Sequence, residues 1–119
     1  MGRSREAAKA AGSRMERETA DVLAKYVDDR IDRRVKTGAK DKGDIGGLRV
    51  HGQRVVIECK DVATMSLGTW VTEAEVERVN DEALAGIVVH KRRGKGDPLD
   101  QYVTMTLRDQ IALLTGMRP

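Results

Sequence analysis

The chain has 119 residues, enough for one domain with its own core but too few for a second independent domain. With 39% hydrophobic and 34% charged residues it should fold with a heavily charged surface, and 3% aromatic content argues against nucleic-acid binding by base stacking. A single cysteine excludes an internal disulfide, and one cysteine with 2 histidines provides too few ligands for a structural zinc site. The 22 basic and 19 acidic residues give a net charge of +3.

The first residues differ in character from the rest of the chain. Residues 1–12 are basic and alanine-rich without a continuous apolar face, so we expect a basic N-terminal arm or the frayed start of a helix, followed by a single domain over 13–119. From Ser13 onward apolar side chains recur every three or four residues, which predicts an amphipathic helix ending near Asp28. No stretch is apolar enough for a signal sequence or a membrane span, and we therefore expect a cytoplasmic protein.

Three β-like segments follow this helix. Alternating arginine and apolar positions predict a strand at 31–37, and two more strands at 44–50 and 54–60 are joined by a hairpin sequence around Gly52. An acidic amphipathic helix is predicted within 66–85, with Trp70, Ala74 and Val79 among its inward residues.

The remaining chain predicts a central strand and a final helix. The apolar run 86–90 indicates a buried strand, followed by a basic loop at 91–100, a strand at 101–106 and a helix that begins at Thr106 and ends near Gly116. The order αβββαββα predicts an α/β fold with a central mixed sheet flanked by helices. We expect Cys59 in the core, His90 as a packed strand residue and Trp70 as an anchor of the second helix.

One strand carries the residues that indicate chemistry. Strand periodicity places Glu58 and Lys60 on one face and Cys59 on the other, and Asp44 opens the preceding strand. The carboxylates of Asp44 and Glu58 should therefore lie close together, where they repel each other unless a cation neutralises them. Oxygen ligands favour Mg²⁺ or Mn²⁺, with the backbone carbonyl of Cys59 as a further ligand. Such an ion can activate water for phosphodiester cleavage, with Lys60 orienting that water or stabilising the phosphate.

These residues resemble a known nuclease family. Asp44 with Glu58-Cys59-Lys60 is similar to the D…(D/E)xK core of the PD-(D/E)xK nuclease superfamily, although Gly43 stands where the superfamily has proline. With Glu16-Arg17-Glu18 and Gly43-Asp44, the chain more narrowly resembles Holliday junction resolvases of the archaeal-type and phage-encoded group, over residues 14–89. The resemblance implies a restriction-endonuclease-like fold and a homodimer that nicks four-way DNA junctions symmetrically with Mg²⁺ or Mn²⁺. It also implies a role in DNA recombination and repair in a bacterium or a phage-infected host cell.

The same resemblance implies that Glu16 is a further contact to the metal or to water. Helical geometry agrees, because Glu16 lies at the border of the apolar stripe and Glu18 points towards solvent. The alternative for Glu16 is a capping box with Ser13 at the start of the helix. The family often has a serine or threonine before its aspartate loop, and either Ser13 or Thr37 could take that place.

Basic residues are the expected phosphate contacts of a nuclease, although a solvated charged surface is the alternative interpretation. They are Arg3, Arg5, Arg14, Lys36, Lys40, Lys42, Lys91, Arg92, Arg93 and Lys95. Two other functions stay open: a restriction-like or repair nuclease acting on duplex or single-stranded DNA, and a non-catalytic DNA-binding module that keeps the fold.

Overall fold

A computed structural model describes residues 3–36 and 38–119, so Thr37 lies outside the described residues. The elements follow the expected order, with a short additional strand and a 3₁₀ turn. They are α1 (Arg5–Tyr26), β1 (Asp32–Arg33), β2 (Ile45–Gly46), β3 (Arg49–Val50), β4 (Gln53–Lys60), α2 (Leu67–Asn80), β5 (Ala85–His90), the 3₁₀ helix Pro98–Asp100, β6 (Tyr102–Thr104) and α3 (Leu107–Thr115).

The strands form one mixed sheet with β4 and β5 at its centre. The order is β1-β2-β4-β5-β6, and β3 pairs with β4 beyond the end of β2. β4 is parallel to β5, whereas β1–β2, β2–β4, β3–β4 and β5–β6 are antiparallel. The apolar runs of β4 and β5 are almost wholly buried, as expected of inner strands that need cover on both faces. The prediction of a central strand at 86–90 is confirmed.

Helices cover both faces of the sheet. Met15 of α1 packs with Ile57 and Cys59 on one face, and Trp70 of α2 packs against Val88 on the other. The predicted α/β architecture, with a mixed sheet between helices, is therefore confirmed, as are Cys59 in the core and Trp70 as an anchor. None of the helices in the described part of the chain is long and apolar enough to cross a membrane.

The first helix begins at Arg5, earlier than the apolar pattern predicted. The hydroxyl of Ser4 caps it by accepting a hydrogen bond of 3.0 Å from the amide of Ala7. Alanine has the highest helix propensity, which explains a helix where no continuous apolar face is present. Of the two alternatives for the first residues, an arm or a helical start, residues 5–12 take the second and belong to α1. The capping-box interpretation of Ser13 and Glu16 is wrong, because both residues lie inside this helix.

The predicted strand 44–50 is divided into β2 and β3 by a close approach of two backbone segments. Gly47 has a φ of +93°, and a Cβ atom there would lie 2.6 Å from the carbonyl oxygen of Arg30. Only glycine can occupy this position, so pairing stops at Gly46 and resumes at Arg49. β3 then turns into β4 at Gly52, which confirms the predicted hairpin.

Candidate active site

Asp44 lies just before β2 and is fixed to β4 by two hydrogen bonds. Its backbone amide donates to the carbonyl oxygen of Ile57 at 2.9 Å, and its Oδ2 accepts from the amide of Cys59 at 2.8 Å. The residue is only 4% exposed, and its carboxyl group contacts that of Glu58. The structure therefore brings Asp44 and Glu58 together at the edge where β2 begins.

Lys36 provides a counter-charge for Asp44. Its Nζ lies 2.9 Å from Oδ1 of Asp44. Burial raises the pKa of Asp44, but the hydrogen bonds from Glu58, the Cys59 amide and Lys36 outweigh it and leave this pKa below its ordinary value. Lys36, assigned to DNA contact from the sequence, thus pairs with a carboxylate of the site.

Glu58 faces α2, where it meets a second buried acid, Glu77. The two carboxyl groups are in contact, and Glu58 and Glu77 are 6% and 2% exposed. Burial, followed by the neighbouring carboxyls of Asp44 and Glu77, raises the pKa of Glu58 far above its ordinary value. Burial also raises the pKa of Glu77, to about 7. Glu58 therefore stays protonated near neutral pH when no cation is close, and Glu77 titrates in that range.

A third acid completes a cluster on this side of the sheet. Asp41, Glu58 and Glu77 each bring one carboxylate oxygen within 4.8 Å of the others. Glu58 and Glu77 open onto a groove of about 700 Å³ between β4 and α2, which Asp41 and Glu73 also line. The cluster is thus buried at its base and reachable from solvent.

Lys60 lies on the same face of β4 as Glu58, which confirms the face predicted from strand periodicity. Its Nζ pairs with Oε2 of Glu73 at 2.7 Å, and Glu73 and Glu77 are one turn apart on α2. Burial lowers the pKa of Lys60, but Glu73 together with the charges of Glu58 and Asp44 raises it by more, so the ammonium form persists. The lysine is held at the groove by an acid that sequence reasoning did not single out.

Glu16 lies on the opposite side of the sheet from Glu58, because it belongs to α1. Its carboxylate accepts a hydrogen bond of 2.9 Å from Nη2 of Arg33. It lines a shallow cavity with Ser13 and Lys36. Lys36, which pairs with Asp44, therefore connects Glu16 with the site. As predicted, Glu16 is half-buried while Glu18 is exposed.

The basic residues named from the sequence flank the carboxylates on two sides. One group lines a cavity of about 290 Å³ in the loop preceding Asp44 and consists of Lys36, Lys40 and Lys42. A second group lines a cavity of about 190 Å³ with Lys60 and consists of Lys91 and Arg93. The others take separate positions: Arg3 pairs with Asp61 at 2.9 Å, Arg92 lies over the Tyr102 ring, and Arg5, Arg14 and Lys95 are exposed.

Sequence reasoning missed Glu77 because it placed Val79, and not Glu77, on the inward face of α2 that Trp70 and Ala74 define. Val79 was predicted to point inward but is 58% exposed, whereas Glu77 is 2% exposed. Trp70, Ala74 and Glu77 are the buried residues of this helix, and their spacing of four and three defines one helical face. An acid at the helical spacing that places it on the same face as Trp70 and Ala74 was the signal that could have identified Glu77.

His90 is a packed strand residue, as predicted. It is 3% exposed, lies against Trp70 and Tyr102, and its Nε2 is 2.7 Å from the hydroxyl of Thr104. Burial lowers its pKa, so the neutral ring is favoured.

No protein-family model, no curated protein and no solved structure matches this chain. What the site can do therefore rests on its own chemistry. Buried carboxylates that contact one another are the donors that hard divalent cations prefer, and the groove admits a hydrated ion. The residues present thus fit Mg²⁺ or Mn²⁺.

Proposed function

We propose that this chain is a metal-dependent DNA endonuclease that resolves four-way (Holliday) junctions as a homodimer. The observation that carries the proposal is the meeting of two buried carboxylates, Asp44 just before β2 and Glu58 on the adjacent β4, with Lys60 on the Glu58 face of β4. This is the residue set of the PD-(D/E)xK nucleases that the sequence resembles. The mixed sheet between helices suits the restriction-endonuclease-like fold that we propose for the chain.

Asp44 and Glu58 would hold the divalent cation, with the carbonyl oxygen of Cys59 as a third ligand. The amide of Cys59 donates to Asp44, and in a strand the carbonyl of a residue points to the same neighbouring strand as its amide. When bound, Mg²⁺ or Mn²⁺ supplies the positive charge that lowers the pKa of a water and stabilises a phosphodiester oxygen. Glu58 must then give up its proton, and Asp44 must release the ammonium group of Lys36.

Lys60 keeps its charge and is held at the groove by Glu73. From there it orients the attacking water or stabilises the negative charge that builds on the phosphate. Glu16 is proposed as a further contact to water or metal. Since it lines the same cavity as Lys36, it also helps to position the lysine that pairs with Asp44.

The flanking cations support DNA as the substrate. Lys40 and Lys42 lie on the Asp44 side of the site, and Lys91 and Arg93 lie on the Lys60 side, so a phosphate backbone crossing the carboxylates would meet positive charge at both ends. A four-way junction needs two symmetric incisions, and a two-fold homodimer provides two equivalent sites. The paucity of aromatic residues favours recognition of shape over base stacking.

The test compares cleavage of a four-way junction, a flap and a linear duplex of matched sequence. We expect paired symmetric nicks in the junction with Mg²⁺ or Mn²⁺ and none in EDTA. Equal cleavage of the flap or the duplex would instead assign a restriction-like or repair nuclease. Junction binding without cleavage in either metal would indicate a non-catalytic DNA-binding module.

A further inference from the structure

We propose that Asp41, Glu58 and Glu77 form a second divalent-cation site, on the α2 side of Glu58, so that Glu58 bridges two ions. The inference rests on the proposed function in one respect, since Glu58 is shared with the Asp44 site. It adds two ligands, Asp41 and Glu77, that the nuclease motif does not contain.

The spacing of the three carboxylates suits a small ion. One oxygen from each residue lies within 4.8 Å of the other two. Around an octahedral Mg²⁺, oxygens at about 2.1 Å from the ion are separated by roughly 3 Å when adjacent and roughly 4.2 Å when opposite. Small side-chain rotations therefore bring the three oxygens to ligand distance, and water supplies the remaining ligands.

The Glu77 side chain, which brings an oxygen into this cluster, also carries an unsatisfied buried atom. Glu77 is only 2% exposed. Within the described residues, its buried Oε1 has no hydrogen-bond partner. A buried carboxylate oxygen without a partner is rare and costly. Glu77 cannot turn away easily, because Trp70 and Ala74 fix the same face of α2 against the sheet. A cation satisfies this oxygen without any rearrangement of the helix.

The charges around the cluster also call for a cation. Over residues 3–36 and 38–119, no lysine or arginine forms an ion pair with Asp41, Glu58 or Glu77. The nearby cations are committed elsewhere, Lys36 to Asp44 and Lys60 to Glu73. A proton shared between two carboxyl groups neutralises one charge, whereas a divalent ion neutralises two.

Asp41 is held in place for this role while remaining accessible. Its Oδ1 accepts a hydrogen bond of 2.9 Å from the amide of Gly43, and its carbonyl oxygen accepts one of 2.8 Å from Nδ2 of Asn80 at the end of α2. The side chain lies at the mouth of the groove, where a hydrated ion would enter. The loop that precedes Asp44 is thereby tied to the helix that carries Glu77.

The test counts Mn²⁺ ions bound to the DNA-free protein by electron paramagnetic resonance, so it does not depend on catalysis. We expect two ions in the wild-type protein and one in Glu77→Gln and in Asp41→Asn. The matched control is Glu82→Gln, an exposed acid just beyond α2 that should retain two. Asp41 is exposed, so its variant keeps the fold even if a change at Glu77 does not.

The outcomes separate this site from the proposed function. If Glu77→Gln and Asp41→Asn both bind as many ions as the wild-type protein, the second site is wrong. It is also wrong if the wild-type protein binds a single ion that only Asp44→Asn removes. If instead Asp44→Asn loses no ion while Glu77→Gln loses one, the second site stands and the Asp44 metal site of the proposed nuclease fails.

Discussion

At the scale of single residues, the centre of this molecule is a group of acids whose ionisation burial opposes. Asp44 escapes this effect through Lys36 and the Cys59 amide, whereas Glu58 and Glu77 meet mainly other carboxyl groups. The same burial that raises their pKa values also makes them strong ligands once a cation replaces their protons.

The metal-free protein should become less stable as pH rises from about 5 to about 8. In the unfolded chain Glu77 has its ordinary pKa of 4.5, and in the folded state its pKa is about 7. A carboxyl group whose pKa is raised by folding stabilises the fold at pH values below its ordinary pKa. This stabilisation is lost as the pH rises through the pKa of the folded state. Glu58 acts in the same direction. Asp44 acts in the opposite direction, but the stability change from its titration falls below about pH 3.8, its ordinary pKa.

Thermal unfolding in EDTA at about pH 5 and about pH 8 measures this loss of stability. We expect a lower Tm at the higher pH, and Mn²⁺ should restore it by binding the ionised carboxylates. Glu77→Gln should weaken the dependence on pH, because one of the two titrating acids is removed. An identical pH dependence in this variant and in the wild-type protein would show that Glu77 does not titrate as described.

How far the sequence predicts the site depends on which contacts are local. Glu58 and Lys60 share a face because strand periodicity alone dictates it, and Asp44 was placed beside Glu58 from a single antiparallel pairing. The contacts of Lys60 with Glu73 and of Glu58 with Glu77 depend on how α2 lies across the sheet. Residue spacing along one strand cannot give that placement.

At the scale of secondary-structure elements, α2 approaches β5 closely at one glycine. A Cβ atom on Gly86 would lie 2.9 Å from the carbonyl oxygen of Ala74 and 3.5 Å from its Cβ. The obstructing atom belongs to the helix backbone, so it cannot rotate out of the way. The position of α2, and with it Glu73 and Glu77, depends on this contact.

Gly86→Ala should therefore destabilise the protein by about 1–3 kcal/mol, because the added methyl group pushes α2 away from the sheet. Chemical denaturation gives the free energy of unfolding. Gly68→Ala on α2 is the matched control, since no atom of the described residues lies within 4 Å of a Cβ added there. If both variants unfold at the same denaturant concentration as the wild-type protein, the helix is not in tight contact with β5.

The element boundaries that the sequence did not predict have identifiable physical causes. The start of α1 is set by alanine propensity and by the Ser4 cap, which an analysis based on apolar periodicity overlooks. The break between β2 and β3 is set by the backbone approach of Arg30 to Gly47, a tertiary contact. The order of the elements was predictable because each has its own periodicity and length.

At the scale of the whole molecule, the modest net charge of +3 conceals positive charge on both sides of an acidic centre. Lys91 and Arg93 lie near Lys60 at the carboxyl ends of β4 and β5, and the lysines of the 34–43 loop lie near Asp44. This arrangement suits a phosphate backbone laid across the site.

Replacing Lys91 and Arg93 together by alanine should weaken junction binding, because counterion release is lost with each phosphate contact. The logarithm of affinity decreases with the logarithm of salt concentration, and this negative slope should become shallower by about 0.9 per lost contact. Arg49→Ala is the control, since Arg49 pairs opposite Arg54 at the far end of β4. An equal loss of affinity in the control would mean that binding is not localised at the site.

The most direct test of the central claim measures junction cleavage and junction binding in Asp44→Asn and Glu58→Gln, with the exposed Glu18→Gln as control. We expect cleavage in Mg²⁺ to fall by more than about a hundredfold in both variants, with binding and folding preserved and the control unchanged. Cleavage at the wild-type rate in either variant would contradict the assignment of Asp44 and Glu58 as the metal-binding centre of a nuclease.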